Sequence, residues 1–320
     1  MSHEGKELRL AMLGMIEGNG HPYSWSGIVN GYNPAEMAKS PYPGISSYMD
    51  RQPLETVRIP GARVTHLWTD DPADAPKVAA ASLIPNIVAR PEDVIGHVDA
   101  AIISTDDGDD HVRRVRPFIE AGLPVFVDKP LATNAADLRQ FVRWHKAGAV
   151  ILSTSGMRYA PEMHLNDEQR TQIGDLRWIT SFTCKTWERY GIHALEAVEP
   201  LLGPGFVTVQ AHSDAGGDVM HLTHRSGARM TIGAIHDAYG SFGAVHLYGT
   251  KGHLSLRLTD TYNAFRCQLV AFIDMLKTGV RPLPFDETVE LMAVIIAGRR
   301  SREQNGALIH VADILAEILS

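Results

Sequence analysis

Val125-Phe-Val-Asp-Lys-Pro-Leu131 is the stretch whose reading decides the fold. Three apolar residues in succession, two of them β-branched, show no alternation and read as a strand buried on both faces of a sheet. Asp128 and Lys129 stand at its carboxyl end, and Pro130 lacks the N–H that further ladder pairing would need. In a doubly wound sheet, ligands bind just outside the carboxyl ends of the strands. A lysine held there can reach a substrate hydroxyl or carbonyl. Taken alone, an Asp-Lys-Pro triplet more often marks a strand end that simply meets water.

Outward from this strand, the pattern repeats. Val98–Ser104 reads as a strand that ends in the loop Thr105–Asp110 and opens a helix from His111 to Ala121, stopped by Gly122. Before it come apolar runs at Leu8–Leu13, Arg63–Trp68 and Pro85–Val88, with a helix beginning at Thr69 and a short helix from Arg90 to Ile95. After it come a helix from Ala135 to Lys146 and a strand from Val150 to Thr154. Strands alternating with helices predict a Rossmann-like, doubly wound parallel sheet over residues 1–153. Residues 154–320 change character. A long strand from Trp178 to Trp187 precedes a helix from His193 to Leu202. Short strands then recur at Phe206–His212, Val219–His224, Arg229–Ile235, Ala244–Tyr248 and His253–Leu258, and helices Ala264–Thr278 and Glu287–Asn305 pack back. This predicts a second, α+β domain built on a large, mostly antiparallel sheet, making the chain α/β overall.

The first strand leads into GMIEGNGHPYSW. A dinucleotide fold wants G-x-G-x-x-G there, so that backbone N–H groups approach a pyrophosphate at a helix start. Gly14, Gly18 and Gly20 supply the composition at a different spacing, and Glu17 places an anion where phosphates would lie. Asp70, at the end of the second strand, can accept ribose hydroxyls or cap the helix that follows. Gly14, Gly18 and Asp70, with Thr105 and Asp128 at the next strand ends, are the expected cofactor-side residues. Tyr32 to Pro60, rich in Pro, Tyr and Ser, reads as an ordered loop with one helical turn beside a site.

Composition narrows the function classes. At 320 residues, two domains are expected. A hydrophobic fraction of 44% and a charged fraction of 21% are those of an ordinary globular protein. The formal charge of −7 argues against nucleic acid or an anionic membrane as partner. MSHEGKELRL has no apolar run fit for a signal peptide, which makes the cytoplasm the default. Cys184 and Cys267 lie far apart, so neither a disulfide framework nor a cysteine metal site is expected. His221 and His224 read as surface or core residues rather than ligands.

On these residues the chain resembles the Gfo/Idh/MocA oxidoreductases, the glucose-fructose oxidoreductase and inositol dehydrogenase family. HVRRVRPFIEAGLPVFVDKPLA is similar to that family's helix, strand and Glu-Lys-Pro signature, with Asp128 in place of the glutamate. YGIHALEAVEPLLG resembles its second signature through Gly191, His193 and Glu196. VHLYGTKGHLSL and FIDMLKTGVRPLPFDETVELMAVIIAGRRS look like its hairpin and closing helices.

The resemblance implies NAD or NADP in the first domain, with NAD slightly favoured, and a sugar-like substrate on the open face of the second sheet. It implies that Lys129 holds the substrate hydroxyl and that His193 is the general acid/base. Oxidising an alcohol needs a base for its proton while hydride leaves to a nicotinamide, and a nearby cation stabilises the developing alkoxide. Many members carry Asp four residues before the histidine, where this chain has Arg189. Arg189 would suit an anionic substrate, such as a carboxylated or phosphorylated sugar, or else lies outside the site; Glu196 is the second expected substrate residue. A redox-silent sugar binder and an NAD-assisted lyase or hydrolase are the alternatives. An apolar face bearing Thr180, Phe182 and Cys184 predicts a homodimer or homotetramer.

Overall fold

The structure, a computed structural model, describes residues 6–320. Residues 1–5, which open the stretch read for a signal peptide, lie outside the described residues. The first sheet has six strands: β1 (Leu8–Leu13), β2 (Ala62–Trp68), β3 (Asn86–Ile87), β4 (Ala100–Ile103), β5 (Val125–Val127) and β6 (Ile151–Leu152). All are parallel, in the order β3-β2-β1-β4-β5-β6. This doubly wound order reverses direction between β1 and β4, where it opens a crevice at the strands' carboxyl ends. β5 needs its unbroken apolar run because both faces are covered. Val125 and Val127 join Val115, Phe118, Leu138 and Phe141 on one side. Phe126 points the other way, edge-on to Trp25 and Phe272.

The second sheet contains β7 (Leu176–Cys184), β8 (Phe206–Asp214), β9 (Gly217–His224), β10 (Arg229–Ile235), β11 (Ala244–Gly249), β12 (His253–Arg257) and β13 (Ile309–His310). Its order is β12-β11-β7-β10-β9-β8-β13; β7 and β10 are parallel and the remaining pairs antiparallel. Along β7, Ile179, Ser181 and Thr183 are buried, while Trp178, Thr180 and Phe182 are half-buried on the other face. That face is mixed rather than plainly apolar, since Trp178 Nε1 donates to Thr231 Oγ1 at 3.2 Å. Cys184 is buried.

Several boundaries differ from the sequence reading. Tyr32 to Pro60 forms two short helices, Pro34–Met37 and Pro43–Met49, and a 3-10 turn at Leu54–Thr56. Each helix has proline in its first turn, where a missing N–H costs nothing. Asn33 caps the first by accepting from the N–H groups of Ala35 and Glu36. Residues 91–94 make a 3-10 turn, and the helix after β2 begins at Ala75. β7 stops at Cys184, and Trp187–Gly191 forms a π-turn before the helix Ile192–Leu202. The helix His21–Asn30 has no amphipathic signal because most of its residues are buried. The helix Thr261–Thr278 returns to the first sheet, where Tyr262, Leu269 and Phe272 share a core with Trp25, Phe126 and Leu152. No helix among the described residues is long and apolar enough to cross a membrane.

Candidate active site

The carboxyl ends of the first sheet face the end of β7 across a cavity of about 900 Å³, lined by both Lys129 and His193. Lys129 follows β5 directly. The N–H of Asp128 donates to the Ile103 carbonyl at 2.8 Å, and the N–H of Lys129 to Asp128 Oδ1 at 2.7 Å. These bonds fix the turn on the sheet edge. Lys129 Nζ lies 3.6 Å from Asp106 Oδ2 and 5.0 Å from the centre of the Tyr190 ring. Asp106 also accepts from the Arg189 guanidinium. Burial pushes the Asp106 carboxyl up, but Lys129 and Arg189 outweigh it and hold the group well below the usual carboxylate range. Arg189 is paired with Asp106 and is not among the cavity-lining residues.

His193 stands in the first turn of the helix Ile192–Leu202, which the π-turn aims at the cavity. Its Nδ1 lies 2.7 Å from Ser155 Oγ, and its ring meets Tyr190 and Phe242 edge-on. Burial, followed by the Lys129 charge, pushes its pKa well below the ordinary histidine value, so the ring is neutral at physiological pH. Glu196, one turn on, is turned away from the cavity lining. It pairs with Arg158, which also binds Glu199 and Glu287, and it faces the Ser155 N–H at 3.4 Å. Burial raises the Glu196 carboxyl against the pull of Arg158.

Sequence reasoning passed over five residues that the fold brings here: His21, Asp106, Ser155, Lys185 and Tyr190. Lys185 has φ +60°, an uncommon backbone conformation for a residue with a side chain. Its Nζ lies 4.4 Å from the Tyr190 ring centre and 3.4 Å from the Gly18 carbonyl. Burial lowers its pKa while the Asp106 charge opposes that. None of these has a local sequence signal, apart from the aromatic and histidine content of GHPYSW. Tyr42, at the N-cap of the helix Pro43–Met49, and Tyr48 within that helix complete the wall, so the Tyr32–Pro60 segment does border the cavity.

On the dinucleotide side, Gly14 has φ +98°, and a Cβ there would come within 2.7 Å of Thr105 Cγ2 and 3.5 Å of Asp70 Oδ2. Asp70 accepts from the Met15 N–H at 2.9 Å and from Arg114 at 2.7 Å. Thr105 Oγ1 is buried without a partner among the described residues. Gly18 lies at the rim of the cavity with φ +75°. Asp128 is fully buried and engaged by His21 instead. The glycine cradle, the unpartnered hydroxyl and the part-exposed Asp70 carboxylate fit a dinucleotide.

Residues 44–155 match the model of the oxidoreductase family with an NAD-binding Rossmann fold. Inositol 2-dehydrogenase of Rhodococcus erythropolis is 32% identical over 124 residues, which is 38% of this chain and 36% of that protein. The chain thus matches about a third of that relative's length. The crystal structure of myo-inositol 2-dehydrogenase from Lactobacillus plantarum superposes with a TM-score of 0.73 at 14% identity, covering 95% of this chain and 99% of that one. Scyllo-inositol dehydrogenase from Lactobacillus casei, solved with NAD(H) and scyllo-inositol, gives 0.69 at 15% identity over 96% of this chain and all of that one (100%).

Proposed function

We propose that the chain is a Gfo/Idh/MocA oxidoreductase, a reading supported by the family match over residues 44–155, and that it acts as an NAD(P)-dependent dehydrogenase or reductase. Its substrate is a secondary alcohol or carbonyl of a sugar, cyclitol or related polyol. The observation that carries this reading is the meeting in one cavity of Lys129, which follows β5 of the first sheet, and His193, from the helix that follows β7 of the second.

The bound dinucleotide would supply the hydride acceptor. Gly14, Gly18, Thr105 and Asp70 would hold it, and the Asp70 carboxylate favours NAD over a 2′-phosphorylated cofactor. Arg114 lies against Asp70, but it is also shared with Asp110. Lys129 donates a hydrogen bond to the reacting oxygen and stabilises charge that develops there. His193 meets the same oxygen from the second domain. The aromatic walls of Tyr42, Tyr48, Phe242 and Phe265 exclude water and offer faces to a polyol ring. The protein works in the cytoplasm as a homodimer or homotetramer.

A thermal-shift series with NAD, NADP and no nucleotide tests the reading. Either nucleotide should raise the melting temperature. Stabilisation by neither at millimolar concentration would favour a redox-silent ligand binder.

A further inference from the structure

Two imidazoles line the cavity, and their hydrogen-bond partners set them in opposite states. Ser155 is almost free of solvent, and its Oγ accepts from the Met157 N–H at 3.2 Å. The remaining neighbour of that hydroxyl is His193 Nδ1 at 2.7 Å. Were Nδ1 protonated, it would donate to Ser155, whose own proton would then be buried with no acceptor, an arrangement that buried polar groups avoid. The satisfied arrangement has the Ser155 hydroxyl donating to a bare Nδ1. His193 then carries its single proton on Nε2. A neutral ring with Nε2–H donates; it has no lone pair facing the reacting oxygen.

His21 is built the other way. Its Nδ1 lies 2.8 Å from Asp128 Oδ2, and Asp128 is fully buried. That carboxylate also takes the Lys129 N–H on Oδ1 at 2.7 Å and Asn19 Nδ2 on Oδ2 at 3.4 Å. An acceptor surrounded by donors draws the imidazole proton to Nδ1, as carboxylates do for oriented histidines elsewhere. The ring stacks on Trp25 at 4.1 Å and 13°, and meets Phe265 edge-on. It cannot rotate away. Nε2 is left bare with no protein partner among the described residues, and the His21 side chain keeps 16% of its surface exposed. The charged groups sharing this cavity are Asp106, Lys129 and Lys185.

We propose that His21, oriented by Asp128, is the general base of the site, and that His193, oriented by Ser155, is a neutral hydrogen-bond donor to the reacting oxygen. This rests on the oxidoreductase reading. As the carbinol carbon gives up its hydrogen as hydride to the oxidised dinucleotide, the hydroxyl proton passes to His21 Nε2 and the C=O bond forms. Asp128 balances the imidazolium, which releases its proton through the open edge of its ring. Reduction runs the same transfers backwards.

The test begins with the free protein, using long-range ¹H–¹⁵N correlations of the histidine rings at neutral pH. The ring of His193 should show a bare Nδ1 and a protonated Nε2, and that of His21 the reverse. Asp128→Asn should disturb the His21 pattern alone, and Ser155→Ala the His193 pattern alone. A His193 ring protonated at Nδ1, or a His21 ring protonated at Nε2, would overturn the assignment. This readout needs no substrate, so it stands apart from any failure of the oxidoreductase reading. On whichever polyol the wild type oxidises with NAD, His21→Gln should lower kcat by about 10² to 10⁴. His193→Gln, which keeps an N–H donor, should lose less. The reverse ranking would also refute the assignment.

Discussion

The Asp106 carboxylate sits 3.6 Å from Lys129 Nζ, and the two residues keep only 2% and 3% of their surface exposed. Arg189 closes on the other oxygen of the same carboxylate. The acid that neutralises the site's cation thus comes from the loop after β4. The π-turn just before the helix of His193 contributes the arginine instead. This pairing leaves Lys129 charged yet held, ready to meet an oxygen that gains negative charge.

Asp106→Asn keeps the shape and removes the charge, leaving Lys129 buried with no counter-ion. Loss of one partner of a buried pair costs about 3–5 kcal/mol. Urea titration should find a loss of that order at neutral pH. The folded-state pKa of Asp106 is depressed, so its contribution is complete above the unfolded value of about 3.9 and fades as pH falls toward the folded value. The gap between wild type and variant should therefore hold steady above about pH 5 and narrow only in stronger acid. A gap that widened on acidification would contradict the pairing.

Gly14→Ala tests the dinucleotide loop. The new methyl would meet Thr105 Cγ2 at 2.7 Å on a backbone with φ +98°. The variant should melt lower than wild type and no longer be stabilised by NAD, as read by calorimetry with and without nucleotide. A variant that still gains the wild-type shift would place the nucleotide elsewhere.

Much of the frame was readable because it rests on local pattern. The unbroken apolar run of β5 and the alternation of β7 each report how many faces are covered. The helix His21–Asn30 was not readable, since Tyr23, Trp25, Ile28 and Val29 are all buried and leave no polar stripe to mark a period. The site was half visible. Lys129 and His193 lie in motifs, whereas Asp128–His21, Ser155–His193 and Asp106–Arg189 join residues far apart in the chain. A carboxylate's partner depends on which loops the sheet order brings together, and spacing along the chain carries none of that. Arg189 illustrates the limit: nothing in the spacing along the chain shows that Asp106 pairs with it.

The half-open face of the second sheet makes a separate prediction. Trp178, Phe182 and Tyr248 lie on the neighbouring strands β7 and β11, with Tyr248 opposite Trp178. Aromatic residues grouped on an uncovered sheet suit a self-complementary interface. Light scattering at micromolar concentration should give a dimer or tetramer, and Trp178→Glu should shift it toward monomer. A wild-type monomer would count against this interface.

The central claim is that Lys129 serves redox chemistry on a polyol in this cavity. Its most direct test is nicotinamide fluorescence, recorded with NAD and a panel of inositols and sugars, comparing wild type with Lys129→Met. The account predicts nucleotide reduction by at least one polyol with the wild type. It predicts a turnover lower by about 10² to 10³ in the variant, the usual worth of one oxyanion-stabilising donor, with NAD affinity nearly unchanged. Equal turnover in the two proteins, or no reduction by any polyol while NAD binds, would contradict it.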